Sequence, residues 1–309
     1  MKKNLSFIVI LFIFLLSLLG CSAKTVDQPK KEDQGSKGVF YEVHYNDNTV
    51  YLFGSIHIGV PKLYPLHEKI DAAYDASDYL AVEMDINDLK PEEMIALISE
   101  IGVYNDGTTI QDHVSTELYD ELIRSIKDFG LQEEGVVIFK PWLVSDMLES
   151  LILEKAGYDL DLGIDQYFLK KAAIEKKEII SLETIEDQLG LYTILTPKSQ
   201  EKALHSTLFD QDENQEKIAE LMEMWIAGDI NRLAELRILE DEESEDYQAY
   251  YEALTVDRDL KMTAKIEDFL KNGQSETYFV VVGALHLVGD NSIADLLKLK
   301  GYDVKKVIE

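Results

Sequence analysis

Two segments far apart in the chain share one pattern, in which an apolar strand runs into Gly-x-x-His and a second glycine follows. The first is residues 52–59, LFGSIHIG, and the second is residues 281–289, VVGALHLVG. A glycine just beyond a strand permits a positive φ or a close backbone approach. The histidine three residues later lies at the carboxyl end of its strand, where open α/β sheets bind ligands. If the two strands are neighbours, His57 and His286 converge on one site.

Hydrophobic periodicity divides the chain into alternating strands and helices at both ends, with mostly helices between. Strands are predicted over residues 39–43, 49–53, 79–84, 178–183, 278–282 and 303–308, the first two forming a hairpin around Asn46-Asp47-Asn48. Helices are predicted over residues 65–77, 91–101, 116–129, 141–156, 164–176, 198–239, 255–271 and 292–299. This pattern predicts an α/β (α+β) fold, in which a mixed β-sheet core carries the Gly-x-x-His motifs at strand ends and a helical insertion forms a cap.

The N-terminus has the parts of a secretory signal, with Lys2 and Lys3 before an apolar run over residues 5–19. That run is shorter than the roughly 20 residues that a membrane span needs. It ends in Leu-Leu-Gly-Cys, which resembles the bacterial lipobox, where the cysteine is lipidated. The alternative is an uncleaved N-terminal anchor. Cys21 is the only cysteine of the chain, which also rules out a disulfide within the monomer.

These features predict three parts. Residues 1–20 are expected to be a signal peptide, residues 21–38 a lipidated Cys21 with a flexible polar tether, and residues 39–309 one domain. We expect an exported protein, anchored by lipid to the outer face of a bacterial membrane.

The balance of charge bears on the partners of the chain. Its 59 acidic and 30 basic residues give a formal net charge of −29. Such a field argues against nucleic acid as a partner and against electrostatic docking on anionic lipid. Because carboxylates are abundant, we consider an acidic residue a candidate site residue only where its sequence context supports a functional role.

Glu83 has that context, because it follows the apolar strand Leu80-Ala81-Val82, where a charge is costly to bury without a partner. Imidazoles and a carboxylate are suitable ligands for zinc and other first-row metals. We therefore predict that His57, His286 and Glu83 bind a divalent metal, with Glu83 acting either as a ligand or as the general base. The alternative is that both motifs are turn glycines with incidental histidines. The other histidines, His44, His67, His113 and His205, lack comparable context.

At these residues the chain resembles the TraB/PrgY/GumN family, which includes the Tiki proteases and is related to erythromycin-esterase-like and ChaN-like proteins. The resemblance runs from about residue 39 to 308. It implies a metal-dependent hydrolase, because Tiki members act as metalloproteases with manganese- or cobalt-like ions, and other members are linked to peptide-pheromone shutdown. The matching positions are Gly54 with His57, Gly283 with His286, Glu83, Pro141-Trp142, Gly163-Ile164-Asp165, Leu182-Glu183-Thr184 with Gln188, and Arg258 before Met262.

Three charged residues are secondary candidates. Arg258 is expected either to stabilise charge on a tetrahedral intermediate or to form a surface ion pair. Asp165 and Glu183 are expected either to orient a ligand histidine or to be a helix cap and a strand-end residue, with capping the favoured role for Asp165. A nucleophilic Ser55 is disfavoured, because its surroundings do not match Gly-x-Ser-x-Gly.

The leading hypothesis is a metallohydrolase, a peptidase that uses manganese, cobalt or zinc on peptide or protein substrates. Its membrane contact would be the lipid at Cys21, and its oligomeric state is left open. One alternative is a lipoprotein that binds a peptide or pheromone without cleaving it. The other is a metal-independent, esterase-like hydrolase.

Overall fold

The fold is taken from a computed structural model that describes residues 35–238 and 244–309. The predicted signal peptide, Cys21 and most of the tether lie outside the described residues, as does the end of the predicted helix 198–239. Residues 35–38 pack against the domain, where Ser36 is buried and donates its backbone N–H to the carbonyl of Pro65. Within the described ranges, no helix is long and apolar enough to span a membrane.

Six strands form one mixed sheet in the order β4-β3-β5-β2-β1-β6. Neighbours among β4, β3, β5 and β2 are parallel, whereas β1 is antiparallel to both β2 and β6. The predicted α/β core is therefore confirmed, including its mixed sheet. The strands are β1 Val39–Tyr45, β2 Asn48–Ser55, β3 Tyr79–Val82, β4 Glu178–Ser181, β5 Thr277–Gly283 and β6 Val304–Lys306.

The helices pack on this sheet and on one another. They are α1 Glu68–Asp75, α2 Pro91–Ile101, α3 Thr116–Asp128, α4 Glu133–Val136, α5 Pro141–Lys155, α6 Ile164–Glu175, α7 Ile185–Leu189, α8 Pro197–Phe209, α9 Gln211–Ala227, α10 Ile230–Glu235, α11 Glu245–Glu252, α12 Arg258–Asn272 and α13 Ile293–Leu299.

The main core lies on the sheet, where the parallel strands β3 and β5 are mostly buried and read as continuous apolar runs. Phe53 of β2 contacts Phe168 and Trp225 at ring-centroid distances of 5.8 and 5.9 Å. The indole of Trp225 also donates to the carbonyl of Gly54 at 2.7 Å. This bond fixes α9 against the start of the first Gly-x-x-His motif.

Helices that lie between β3 and β5 in the sequence form two further apolar clusters. One is built around Val144, Leu148 and Leu204, where α5 packs on α8. The other contains Trp142 and Tyr192, whose rings stack at 4.2 Å. Together these clusters make the predicted helical insertion.

Several predicted element bounds are wrong for local reasons. The predicted helix 65–77 begins at Glu68, because the ring of His67 caps it by accepting the N–H of Lys69. The predicted helix 198–239 is divided into α8, α9 and α10 at Asp210 and at Gly228, whose φ of +67° ends α9. A π-helical turn over Ala253–Asp257 precedes α12.

Candidate active site

The two Gly-x-x-His motifs begin side by side at one edge of the sheet. Strands β2 and β5 are parallel neighbours with Ser55 opposite Gly283, and β3 lies on the other side of β5. A Cβ atom placed on Gly283 would lie 3.3 Å from Oε1 of Glu83, 3.4 Å from Cδ2 of His286 and 3.8 Å from Nε2 of His57. The three predicted side chains therefore surround one point directly above Gly283.

The ring of His57 is held by a carboxylate from α6. Its Nδ1 lies 2.8 Å from Oδ2 of Asp165, and the hydroxyl of Ser55 donates to Oδ1 of the same group at 2.8 Å. Burial lowers the pKa of His57, but the charge and hydrogen bond of Asp165 outweigh it and raise the pKa to about 9. Gly163 is the N-cap of α6, so the capping role favoured for Asp165 is wrong.

The ring of His286 is held in the same way by α12. It lies on the 3₁₀ turn Ala284–Leu287, with Nδ1 2.5 Å from Oδ1 of Asp259 and Nε2 3.8 Å from Oε1 of Glu83. Asp259 is fully buried, and the guanidinium of Arg237 donates to its Oδ2 at 2.8 Å. Both histidines are thus hydrogen-bonded to a carboxylate through Nδ1, while Nε2 of each ring lies near the point above Gly283.

Arg258 joins two buried carboxylates beneath the histidines. It donates from Nη2 to Glu83 at 2.7 Å, and from Nε and Nη2 to Glu183 at 2.8 and 2.6 Å. Because Arg258 is only 3% exposed, a surface ion pair is excluded. Glu183 contacts this arginine rather than a histidine, and the amide nitrogen of Gln188 lies 3.5 Å from both carboxylates.

This arrangement fixes the charge of Glu83. Its Oε1 accepts the backbone N–H of Gly283 at 2.6 Å. Burial raises the pKa of Glu83, but the positive charge of Arg258, followed by those of His286 and His57, outweighs it and holds the pKa at about 2. Burial also opposes the charge of Arg258, yet its two carboxylates raise the pKa of the guanidinium above its ordinary value. The site therefore holds an ionised carboxylate between two imidazoles.

The profile of the TraB/PrgY/gumN family matches residues 39–306, the whole span that carries these motifs. The chain belongs to the TraB/PrgY/gumN family. It is 24% identical to the uncharacterized protein YbaP of Escherichia coli strain K12 over 80% of this chain and 87% of YbaP. It is 21% identical to the metalloprotease TIKI1 of Xenopus tropicalis over 84% of this chain and 59% of TIKI1. It is 20% identical to the metalloprotease TIKI homolog of Nematostella vectensis over 83% of this chain and 64% of the homolog.

These relatives support a hydrolase function at the level of the family. No solved structure matches the chain. The likeness to the Tiki metalloproteases also suggests a dependence on metal, and the site offers the corresponding donor types.

The fit of a metal ion can be judged from the donor chemistry. Two imidazoles with Nδ1 bound to carboxylates, beside an ionised glutamate, are the usual surroundings of a catalytic metal. In the arrangement described, however, one oxygen of Glu83 binds Arg258 and the other binds Gly283. Across residues 35–238 and 244–309, no three His, Cys, Asp or Glu side chains are grouped closely enough to hold an ion. The donors fit in kind, and ligation needs their side chains to move closer together.

Sequence reasoning missed Asp259 and Arg237. Asp259 directly follows Arg258, so the Asp-Arg-Asp run before an amphipathic helix was a usable signal. Arg237 had no comparable signal, because nothing in its neighbourhood suggests that it reaches the second motif. Asp85, two residues after Glu83, caps a short turn by accepting the N–H of Asn87.

Proposed function

We propose that this chain is a metal-dependent hydrolase that acts as a peptidase on peptide or protein substrates outside the cytoplasm. The observation that carries the proposal is the pair of histidines whose Nδ1 atoms bind Asp165 and Asp259. Such a bond fixes the ring and leaves Nε2 as a ligand atom, as in many metal sites. The metalloprotease names of the Tiki relatives support the same chemistry.

His57, His286 and Glu83 would hold the ion, and manganese, cobalt and zinc all accept this combination of nitrogen and oxygen. When bound, such an ion lowers the pKa of its water and polarises a carbonyl. Asp165 and Asp259 orient the two rings. Arg258 binds one oxygen of Glu83 and so keeps this carboxylate ionised beside the histidines.

Between the two roles that sequence leaves open for Glu83, we infer the role of ligand. A carboxylate with a pKa of about 2 is a weak proton acceptor at neutral pH, and a general base works best with a pKa near the working pH. Hydrogen bonds from Arg258 and Gly283 also restrict its rotation. Both properties suit a fixed anionic ligand better than a proton carrier.

The proposed location rests on sequence outside the described residues. The signal-like segment and Cys21 support export and lipid attachment, which would place the hydrolase at the outer face of a bacterial membrane. Substrates would then be extracellular or envelope peptides and proteins.

A metal-independent, esterase-like hydrolase is the second candidate, and His57 favours it. With a pKa of about 9, this imidazole holds a proton at neutral pH beside the ionised Glu83. A protonated histidine 20% exposed to solvent could donate to a leaving group as a general acid.

The test is a peptide-library cleavage assay, read by mass spectrometry, on the purified full-length chain. Protein is treated with a chelator and assayed alone or with manganese, cobalt or zinc. His57→Gln and His286→Gln remove one site histidine each, and His205→Gln is the matched control, because His205 is exposed on α8.

Cleavage that needs metal and is lost in both site variants, but not in the control, supports the proposal. Cleavage of an ester in chelator that is lost in the same variants supports the second candidate. Peptide that binds but is never cut contradicts both and leaves a binding lipoprotein.

A further inference from the structure

The carboxylates that hold the two site histidines have different second partners. Asp165 binds His57 with one oxygen and accepts the hydroxyl of Ser55 with the other. Asp259 binds His286 with one oxygen, while its other oxygen accepts a guanidinium N–H of Arg237. One ring is thus supported through a neutral hydroxyl and the other through a positive charge.

Arg237 reaches this position from just beyond the end of α10, with its side chain only 6% exposed. Its Nη1 donates to Oδ2 of Asp259 and also to the backbone carbonyl of Leu285. Leu285 directly precedes His286 on the 3₁₀ turn. A single guanidinium nitrogen therefore ties together the carboxylate that binds the ring and the backbone that carries it.

The second motif leaves room for this side chain. Its closing glycine, Gly289, has a φ of +77°, and a Cβ atom there would lie 3.6 Å from Cδ of Arg237. The glycine that ends the motif thus lies against the aliphatic part of the arginine. Tyr251 is also near, since the charges of Arg237 and Asp259 act in opposite directions on its pKa, which burial raises.

The burial of Asp259 explains why its ion pair with Arg237 is important for the position of His286. Asp259 is fully buried, and a buried carboxylate that loses its cationic partner is strongly destabilised. Without Arg237, the group best placed to compensate Asp259 is His286. Asp259 would then move towards His286 and draw the imidazole out of position.

We propose that Arg237 is a positioning residue for His286. It holds the carboxylate of Asp259 and the backbone of Leu285 in place, so that Nδ1 of His286 stays hydrogen-bonded to Asp259 and Nε2 is directed towards Glu83. The inference concerns the geometry of the ring, and it rests on the proposed function only for its effect on turnover. We therefore expect a substitution of Arg237 to change the ring position of His286 alone, and a substitution of Ser55 to change that of His57 alone.

The test is NMR of the full-length chain with ¹⁵N-labelled histidine, without added metal. Ring nitrogens are assigned from the His57→Gln and His286→Gln spectra. In Arg237→Gln, we expect the Nδ1 resonance of His286 to shift because its hydrogen bond to Asp259 is weakened, with the resonances of His57 unchanged. Ser55→Ala is the matched control and should shift His57 alone. Arg237→Lys, which restores the charge, should return His286 part of the way.

A His286 resonance that is unchanged in folded Arg237→Gln would overturn the proposal, as would equal shifts at both histidines. If Arg237→Gln loses its near-ultraviolet circular dichroism, Arg237→Lys decides the question, because lysine keeps the charge but lacks the guanidinium nitrogen that binds both Asp259 and Leu285. A shift confined to His286 in that variant then supports the proposal, and no shift overturns it.

Discussion

Single residues in the site are stabilised by the pairing of buried charges. Glu83 and Glu183 share one guanidinium, that of Arg258, and all three side chains are nearly inaccessible to solvent. Two carboxylates and one guanidinium leave an excess of negative charge. The backbone N–H of Gly283 stabilises this charge by donating a hydrogen bond to Glu83. Removing one partner of a buried ion pair lowers the free energy of unfolding by more than the pair itself contributes, because the remaining charge is left in a medium of low polarity.

We therefore expect Arg258→Met to lower the free energy of unfolding by about 3–5 kcal/mol, measured by urea denaturation. The matched control is Arg232→Met, which removes an ion pair with Glu220 in which both side chains are about half exposed. That loss should be at most about 1 kcal/mol. Equal losses in the two variants would contradict the account of a buried network.

A substitution at Gly283 is expected to affect hydrolysis much more than it affects stability. A methyl group there would lie 3.3 Å from Glu83 and 3.4 Å from His286, whereas the φ of −49° is ordinary for alanine. Gly283→Ala should reduce hydrolysis more than tenfold while the unfolding free energy changes by about 1 kcal/mol or less. Gly190→Ala, with no atom within 4 Å of the new methyl, should leave hydrolysis unchanged.

At the scale of elements, parallel strand ends bring distant residues together. Sequence reasoning placed His57, Glu83 and His286 at strand ends, and strand pairing explains why they meet, since β3, β5 and β2 are neighbours. The supporting residues were harder to predict. Asp165 and Asp259 come from helices and Arg237 from the turn after α10, and the position of these elements on the sheet depends on tertiary packing rather than on local pattern.

Helix α7 shows how capping supports the site. Thr184 accepts the N–H of Asp187, whose carboxylate accepts the N–H of Thr184 in return, and this capping box places Gln188 near Glu83 and Glu183. Thr184→Ala should lower the unfolding free energy by about 1 kcal/mol and should also reduce hydrolysis.

The control for this prediction is Ser115→Ala, which removes the N-cap of α3, outside the site. We expect a similar loss of stability by thermal denaturation, with hydrolysis at the wild-type rate. If both variants affect hydrolysis equally, α7 has no special role in positioning the site.

At the scale of the whole molecule, the helical insertion contains buried acids of its own. Asp146 and Glu149 lie on α5, and Asp146 accepts the hydroxyl of Tyr192, with Tyr250 also near. Burial raises the pKa of Asp146 from 3.8 to about 8, and the hydrogen bond from Tyr192 opposes this only in part. Burial and the charge of Asp146 raise the pKa of Glu149 as well.

A raised carboxyl pKa makes stability fall as pH rises. Between about pH 4 and pH 8 the unfolded chain has lost the Asp146 proton and the folded chain retains it, so unfolding becomes easier. Asp146→Asn should therefore raise the unfolding free energy near pH 8 by on the order of 2 kcal/mol and change it little near pH 4. Glu154→Gln, an exposed acid on the same helix, should show no such pH dependence.

The sequence was sufficient for the α/β core, the helical insertion and the membership of the TraB/PrgY/gumN family. It was insufficient for the interior of the insertion, where amphipathic helices can pack in several ways and where Asp210 and Gly228 divide a predicted continuous helix. The same limit applies to Arg237, whose partners lie 22 and 48 residues away in sequence.

We propose that His57, Glu83 and His286 form one metal centre. This proposal is tested most directly by titrating Mn²⁺ into the chelator-treated full-length chain and following the free ion by electron paramagnetic resonance. We expect one saturable site per chain, with an affinity for Mn²⁺ that falls at least tenfold in His57→Gln and in His286→Gln and is unchanged in His205→Gln. Equal Mn²⁺ binding by all four proteins, or no binding by the wild type with manganese, cobalt or zinc, would contradict it.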